Sequence, residues 1–231
     1  MRVLILGEGP TDLGRTKPDH TFQLEGALPL LARKLIEQAD SEIDIDMHGL
    51  QWKQMPRRSL AGARRMGRSM QGFANKLWGL LGLKEGREAD AIVAVVDRDG
   101  KRHKDRIEEL NKGRDELRKA NKPCAVGVAI EMIEAWLLAD EEALRSALND
   151  PSIQRQPDPE TLASRNENSD QSPKGRLQRL MERSLGLEVP KADFPGYYAE
   201  IAKNASLSTL EQRCSEGFQP FARQVREFDC P

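Results

Sequence analysis

Six apolar residues in a row, Ala91-Ile92-Val93-Ala94-Val95-Val96, stop on Asp97-Arg98-Asp99-Gly100. A strand that is apolar at every position has no wet face, so both of its sides must be covered. The flanking sequence supplies the covers. Residues 3–7, Val-Leu-Ile-Leu-Gly, repeat the pattern, as do residues 123–130, and residues 42–48 alternate Ile43, Ile45 and Met47 as a further strand. Between these runs apolar residues recur at helical spacing: over 21–37, with Pro29 set to kink it or to start a new turn, over 59–83, over 104–121 on a charged surface helix, and over 131–148. Strand and helix therefore alternate. The pattern predicts an α/β fold with a doubly wound, mainly parallel sheet over residues 1–149. Residues 150–172 are rich in Asp, Pro, Asn and Ser and read as a loop. From Lys174 onward the helical pattern is interrupted at Pro190, Pro195 and Pro220, which predicts a small C-terminal helical appendage in 150–231, packed on the first domain.

No apolar run approaches the roughly 18 residues of a membrane span, and the opening MRVLILGEG is a strand too short for a signal peptide. Cys124, Cys214 and Cys230 are odd in number and scattered, which argues against a disulfide framework. A cytoplasmic protein with no membrane partner is expected. Net charge is −1 over 231 residues, yet the charge is unevenly spread: residues 51–88 hold 9 basic and 2 acidic side chains. Within that block Arg57, Arg58, Arg64, Arg65, Arg68 and Lys76 are interleaved with Trp52, Phe73 and Trp78. Such a run is either a solvated helix face or a surface for a polyanion. At helical spacing, Phe73 and Trp78 read as core residues, as does Trp136.

In an open parallel sheet, functional groups gather at the carboxyl ends of the strands. Three of the expected strands end in acids: Glu8, then Asp97 with Asp99, then Glu131. Asp97 and Asp99 are two apart and project to one side of an extended chain. Glu131 and Glu134 are three apart and share a helix face, with Glu131 the nearer to its strand. Taken alone, Glu8 reads as a helix cap and Asp97-Arg98-Asp99-Gly100 as a turn. Together, four carboxylates at one edge repel unless a cation neutralises them, and hard oxygen donors suit Mg²⁺ or Mn²⁺. Zinc is disfavoured, because His20, His48 and His103 are isolated and the cysteines lack ligand spacing.

These residues also carry a resemblance. Glu8-Gly9-Pro10-Thr11-Asp12 closing the first strand and Asp97-Arg98-Asp99 closing a later one resemble the two signature motifs of the TOPRIM fold. That fold is shared by topoisomerases, bacterial primases, a ribosomal-RNA maturase and the OLD-family nucleases. The segment from Glu131 to Asp140, Glu-Met-Ile-Glu-Ala-Trp-Leu-Leu-Ala-Asp, is similar to a narrower TOPRIM-like bacterial family of unknown function, often encoded beside AAA-type ATPases in defence loci. Its outline continues with a Lys-containing helix, matched by Lys174, and a Phe-x-x-Phe, matched by Phe218 and Phe221. The resemblance implies Mg²⁺-dependent phosphodiester cleavage of DNA or RNA with a partner ATPase. Glu8 would be a metal ligand or general acid/base, Asp97 and Asp99 the metal-holding aspartates, Glu131 or Glu134 a further ligand, and Lys174 a contact to the scissile phosphate. TOPRIM nucleases often carry one more acid soon after the first motif, for which Asp12 and Glu25 are the near candidates.

Two other classes compete. One is a non-catalytic partner or sensor subunit that has kept the fold. The other is an Asp-x-Asp phosphatase or nucleotide-sugar transferase. Phosphatases of that kind carry the motif on their first strand, and transferases give no reason for the loop at Glu8.

Overall fold

The computed structural model describes residues 1–55, 72–97, 103–130, 132–162 and 169–228. Four strands, β1 (Arg2–Gly7), β4 (Asp46–Gln51), β5 (Ala91–Asp97) and β6 (Cys124–Ala129), form a sheet in the order β4-β1-β5-β6. Every pairing in it is parallel, with Val3 opposite both Met47 and Ala91, and Ile92 opposite Cys124. Two short strands, β2 (Gly14–Thr16) and β3 (Phe22–Glu25), pair separately as an antiparallel hairpin.

Alternation along the parallel strands sorts their side chains onto two cores. Val3, Ile5, Val93, Val95, Ala125 and Ala129 face one side, where α2 (Ala27–Ala39), α6 (Ile133–Leu138) and α7 (Glu141–Leu148) cover them. Leu4, Leu6, Ile92, Ala94, Val96, Val126 and Val128 face the other, under α3 (Gly72–Gly79) and α5 (His103–Lys119). A one-turn helix, α1 (Pro10–Leu13), follows β1, and α4 (Lys84–Glu88) precedes β5. Helices on both faces of a parallel sheet make this a doubly wound α/β arrangement.

After residue 172 come α8 (Pro173–Leu185), α9 (Phe194–Asn204), α10 (Leu207–Arg213) and α11 (Phe218–Arg226). Their apolar residues belong to the same core as β1, β5 and α2. Trp136 is fully buried there, stacked on Phe221 with centroids 5.5 Å apart and edge-on to Phe218 at 5.1 Å. Phe221 also presses on Gly127 of β6, where an added Cβ would lie 3.0 Å from its ring. The Phe-x-x-Phe pair thus clamps the sheet to the Trp136 helix.

The strand expected over 42–48 lies at Asp46–Gln51, and two helix boundaries also differ from the expectation. The helix expected over 21–37 starts only at Ala27, because Phe22–Glu25 pairs with Gly14–Thr16 and Gly26 sits at its N-cap in extended backbone. Pro29 falls in the first turn, where no intrahelical N–H bond is lost, so it starts the helix without a kink. The helix expected over 131–148 is two helices meeting at Asp140, whose carboxylate accepts from Glu142 N, Ala143 N and Ser206 N at 3.0, 3.2 and 2.7 Å. One side chain therefore caps α7 and fastens the start of α10. Asp140→Ala is expected to cost about 1–2 kcal/mol from the lost cap, read as a lower urea midpoint with an unchanged m-value.

Candidate functional site

Strand β1 delivers Glu8 to the carboxyl edge of the sheet, and Gly9-Pro10 turns the chain at once into α1. Pro at the first helical position has no N–H to waste, and the Asp12 and Leu13 amides close the turn on Gly9 O at 3.2 and 3.0 Å. That turn folds Asp12 back so that its carboxylate accepts from Glu8 N at 3.1 Å. From the neighbouring strand, Asp97 N donates to Glu8 Oε1 at 3.1 Å. Glu8 and Asp97 are thus joined across β1 and β5, with Asp12 beneath them.

Glu134 enters from the first turn of α6, only 4% exposed, and its Oε1 accepts from the hydroxyl of Tyr198 on α9 at 3.0 Å. Burial first, then the charges of Glu134 and Glu8, raise the Asp12 carboxyl to about 7 against the pull of the Glu8 and Gly9 backbone bonds. The Tyr198 phenol is held well above its usual range by burial, then by Glu134, Asp12 and Asp97. Four carboxylates from three segments therefore act on one small buried region.

Cations line the opposite side. Arg106 of α5 lies 3.7 Å from Glu8 Oε1, donates to the Asp97 carbonyl, and stacks over the Phe73 ring at 5.6 Å. Trp52, just past β4, anchors its indole N–H on Val95 O at 2.7 Å and meets Phe73 edge-on at 5.0 Å. Lys76 donates to Trp52 O at 3.3 Å and sits 5.4 Å over Phe73. Phe73 is half-buried, serving as a platform for two cations rather than as a fully enclosed core residue.

Of the residues singled out in the sequence, the structure brings together Glu8, Asp97 and Glu134, with Asp12 as the added acid. Glu25 is engaged elsewhere, paired with Arg33 at 2.5 Å. Lys76 reaches the same edge as the acids, while Lys174 lies in the first turn of α8, which packs against α6. Asp99, Glu131, Arg57, Arg58, Arg64, Arg65 and Arg68 lie outside the described residues. Arg106 and Tyr198 escaped the sequence reading. Arg106 is one of many charges on its helix, and nothing local separates Tyr198 from Tyr197.

The donors are hard carboxylate oxygens, which suit Mg²⁺ or Mn²⁺ in kind. Among the described residues, no three His, Cys, Asp or Glu side chains make a metal-holding group by themselves. Thiol chemistry has no support there: Cys124 and Cys214 are buried, burial lifting the first to about 12 and raising the second too.

Fold and site together define a doubly wound α/β protein with an acidic cluster at the carboxyl ends of adjacent parallel strands, the usual place for a site in this architecture. The model of a family described as a domain of unknown function, DUF4276, matches residues 27–226. The chain belongs to that family. Asp97, Glu134, Lys174 and Tyr198 fall inside the match, whereas Glu8 and Asp12 precede it. No curated protein and no solved structure matches the chain. No helix among the described residues is long and apolar enough to cross a membrane.

Proposed function

We propose that this protein is a Mg²⁺- or Mn²⁺-dependent nuclease of TOPRIM type, cleaving phosphodiester bonds in DNA or RNA in the bacterial cytoplasm. The observation that carries the reading is the junction of Glu8 and Asp97 across adjacent parallel strands, with Asp12 and Glu134 buried behind it. Glu8, Asp97 and Asp99, with Glu131 or Glu134, would hold the cation. Bound there, it would supply Lewis acidity at a phosphoryl oxygen.

The chain's own groups do the rest. Glu8 is exposed enough to meet substrate, and with Oε1 held by the Asp97 amide its carboxylate is fixed in direction to take or return a proton. Lys76, Arg106 and Lys174 would offset the repulsion between phosphates and acids, and the arginines of 57–68 would add to that positive charge. A role in defence beside an AAA-type ATPase rests on the likeness of the Glu131–Asp140 segment.

The test is cleavage of duplex DNA, single-stranded DNA and RNA by wild type in Mg²⁺ and in EDTA, each with and without the partner ATPase. Cleavage only with Mg²⁺ is the expected result; equal cleavage in EDTA, or none on any substrate, would overturn the reading. One observation favours a second reading, a non-catalytic subunit: Arg106 already stands beside Glu8 as a counter-charge. That subunit would bind its partner equally with and without metal and cleave nothing.

The basic block has its own readout. Each phosphate neutralised contributes a slope of about −0.9 in log K against log salt on duplex DNA. Replacing Arg64, Arg65 and Arg68 with Gln is expected to flatten that slope by about two to three units. Anisotropy with Ca²⁺ in place of Mg²⁺ measures it, and an unaltered slope would return the block to a solvated surface.

A further inference from the structure

Tyr198 is fully buried on α9, 64 residues from the glutamate its hydroxyl contacts. Its ring is fixed independently of that contact, stacked on Phe194 with centroids 5.9 Å apart and planes at 15°. The hydroxyl is therefore delivered by a rigid aromatic wall, not by a flexible arm. Helix α9 itself is braced on α2 and α7, and Lys34 of α2 donates to Lys203 O at 2.9 Å at the helix's C-terminal end. A carboxylate with one oxygen so held has lost most of its freedom to rotate about its last bond.

We infer that Tyr198 is a positioning residue of the acidic site, fixing the Glu134 carboxylate as a cation-binding group from behind. This rests on the proposed metal-dependent reading and adds a part that the strand-end acids do not contain. A partner that orients a metal ligand typically changes metal affinity 10–100-fold when removed. The phenol O–H is a donor and Glu134 Oε1 accepts it at 3.0 Å, so the contact needs no charge on the tyrosine. Phenylalanine at this position would keep the stacked ring and remove only the donor. The role also makes the C-terminal helices a structural part of the site: cutting the chain before α9 would remove the donor along with the wall.

The test is calorimetric titration of Mn²⁺ into wild type, Tyr198→Phe, Glu134→Gln and the double variant, without nucleic acid. Tyr198→Phe is expected to bind Mn²⁺ about 10-fold more weakly. In the Glu134→Gln background it is expected to add almost nothing, because its effect passes through Glu134. Equal affinity in wild type and Tyr198→Phe, or the same loss in both backgrounds, would overturn the positioning role and leave the metal reading standing. No Mn²⁺ binding by wild type would instead remove the metal reading, and this inference with it. If Tyr198→Phe fails to fold, Tyr197→Phe leaves Tyr198 as the only tyrosine of the two in the chain. Its ultraviolet difference spectrum should then shift when Mn²⁺ binds, and a silent spectrum at saturation would be fatal to the role.

Discussion

Asp97→Asn is expected to lower Mg²⁺-dependent cleavage by at least about 10³-fold, or about 4 kcal/mol in the barrier, while the protein stays folded. Asp97 closes β5, where its amide donates to Glu8 and its carbonyl accepts from Arg106. Asparagine preserves both and nearly the same shape. What it removes is one negative charge and one hard anionic donor, the two properties a divalent cation needs. The same loss should leave metal-free stability equal or higher, since it removes one of the like charges gathered with Glu8, Asp12 and Glu134. Activity and melting temperature therefore move independently, which a merely misfolded variant cannot imitate. Single-turnover cleavage at saturating Mg²⁺ is the measurement. A variant retaining cleavage within about tenfold of wild type would show that Asp97 holds no catalytic cation.

The strand ends were legible because their signal is local. A run such as 91–96 can only be a strand buried on both faces, and an acid directly after it must stand at the sheet's carboxyl edge. The hairpin was not legible for an equally local reason. Phe22 and Leu24 alternate as a strand, yet Leu24, Ala27, Leu28 and Leu31 also fit helical spacing, and only the pairing of Glu25 with Gly14 decides between them. Asp140 presents the same limit in another form. Its sequence offers helix on both sides, and the partner of its second carboxylate oxygen, Ser206 N, lies 66 residues away.

Within the site, the sequence pointed to which residues are acids and left open how they are charged. Asp12 reads as a near candidate for the extra acid after the first motif, with nothing local to announce its burial. Its desolvation comes from the packing of segments far along the chain, α6 with Glu134 and α9 with Tyr198, which no short-range pattern encodes. Glu8 shows the converse: the loop around it announced the acid, whereas Arg106, which stands next to it, lies on a helix crowded with charge. Electrostatic environment is a tertiary property, and it is what separates a strand-end turn from a cation site.

That environment makes its own prediction, independent of any substrate. Asp12 is 8% exposed and its carboxyl is raised from 3.8 to about 7, so the native state holds a proton that the unfolded chain releases near pH 4. Below that, both states are protonated and burial carries no ionic penalty. As pH rises through the window from 3.8 to about 7 the unfolded state ionises first and stability falls; above the native value the full penalty remains. Its size is on the order of a few kcal/mol. Asp12→Asn has no proton to lose, its Oδ1 can still accept from Glu8 N, and its amide can donate to a neighbouring carboxylate such as Glu134. Metal-free at pH 8, this variant is expected to melt roughly 5–10 °C above wild type, with the two curves converging near pH 4. A gap independent of pH, or a variant less stable at pH 8, would mean that Asp12 is not carrying this penalty. A cation at the site relieves the same repulsion by adding positive charge, so Mg²⁺ is expected to raise the wild-type melting temperature at pH 8 more than that of Asp12→Asn.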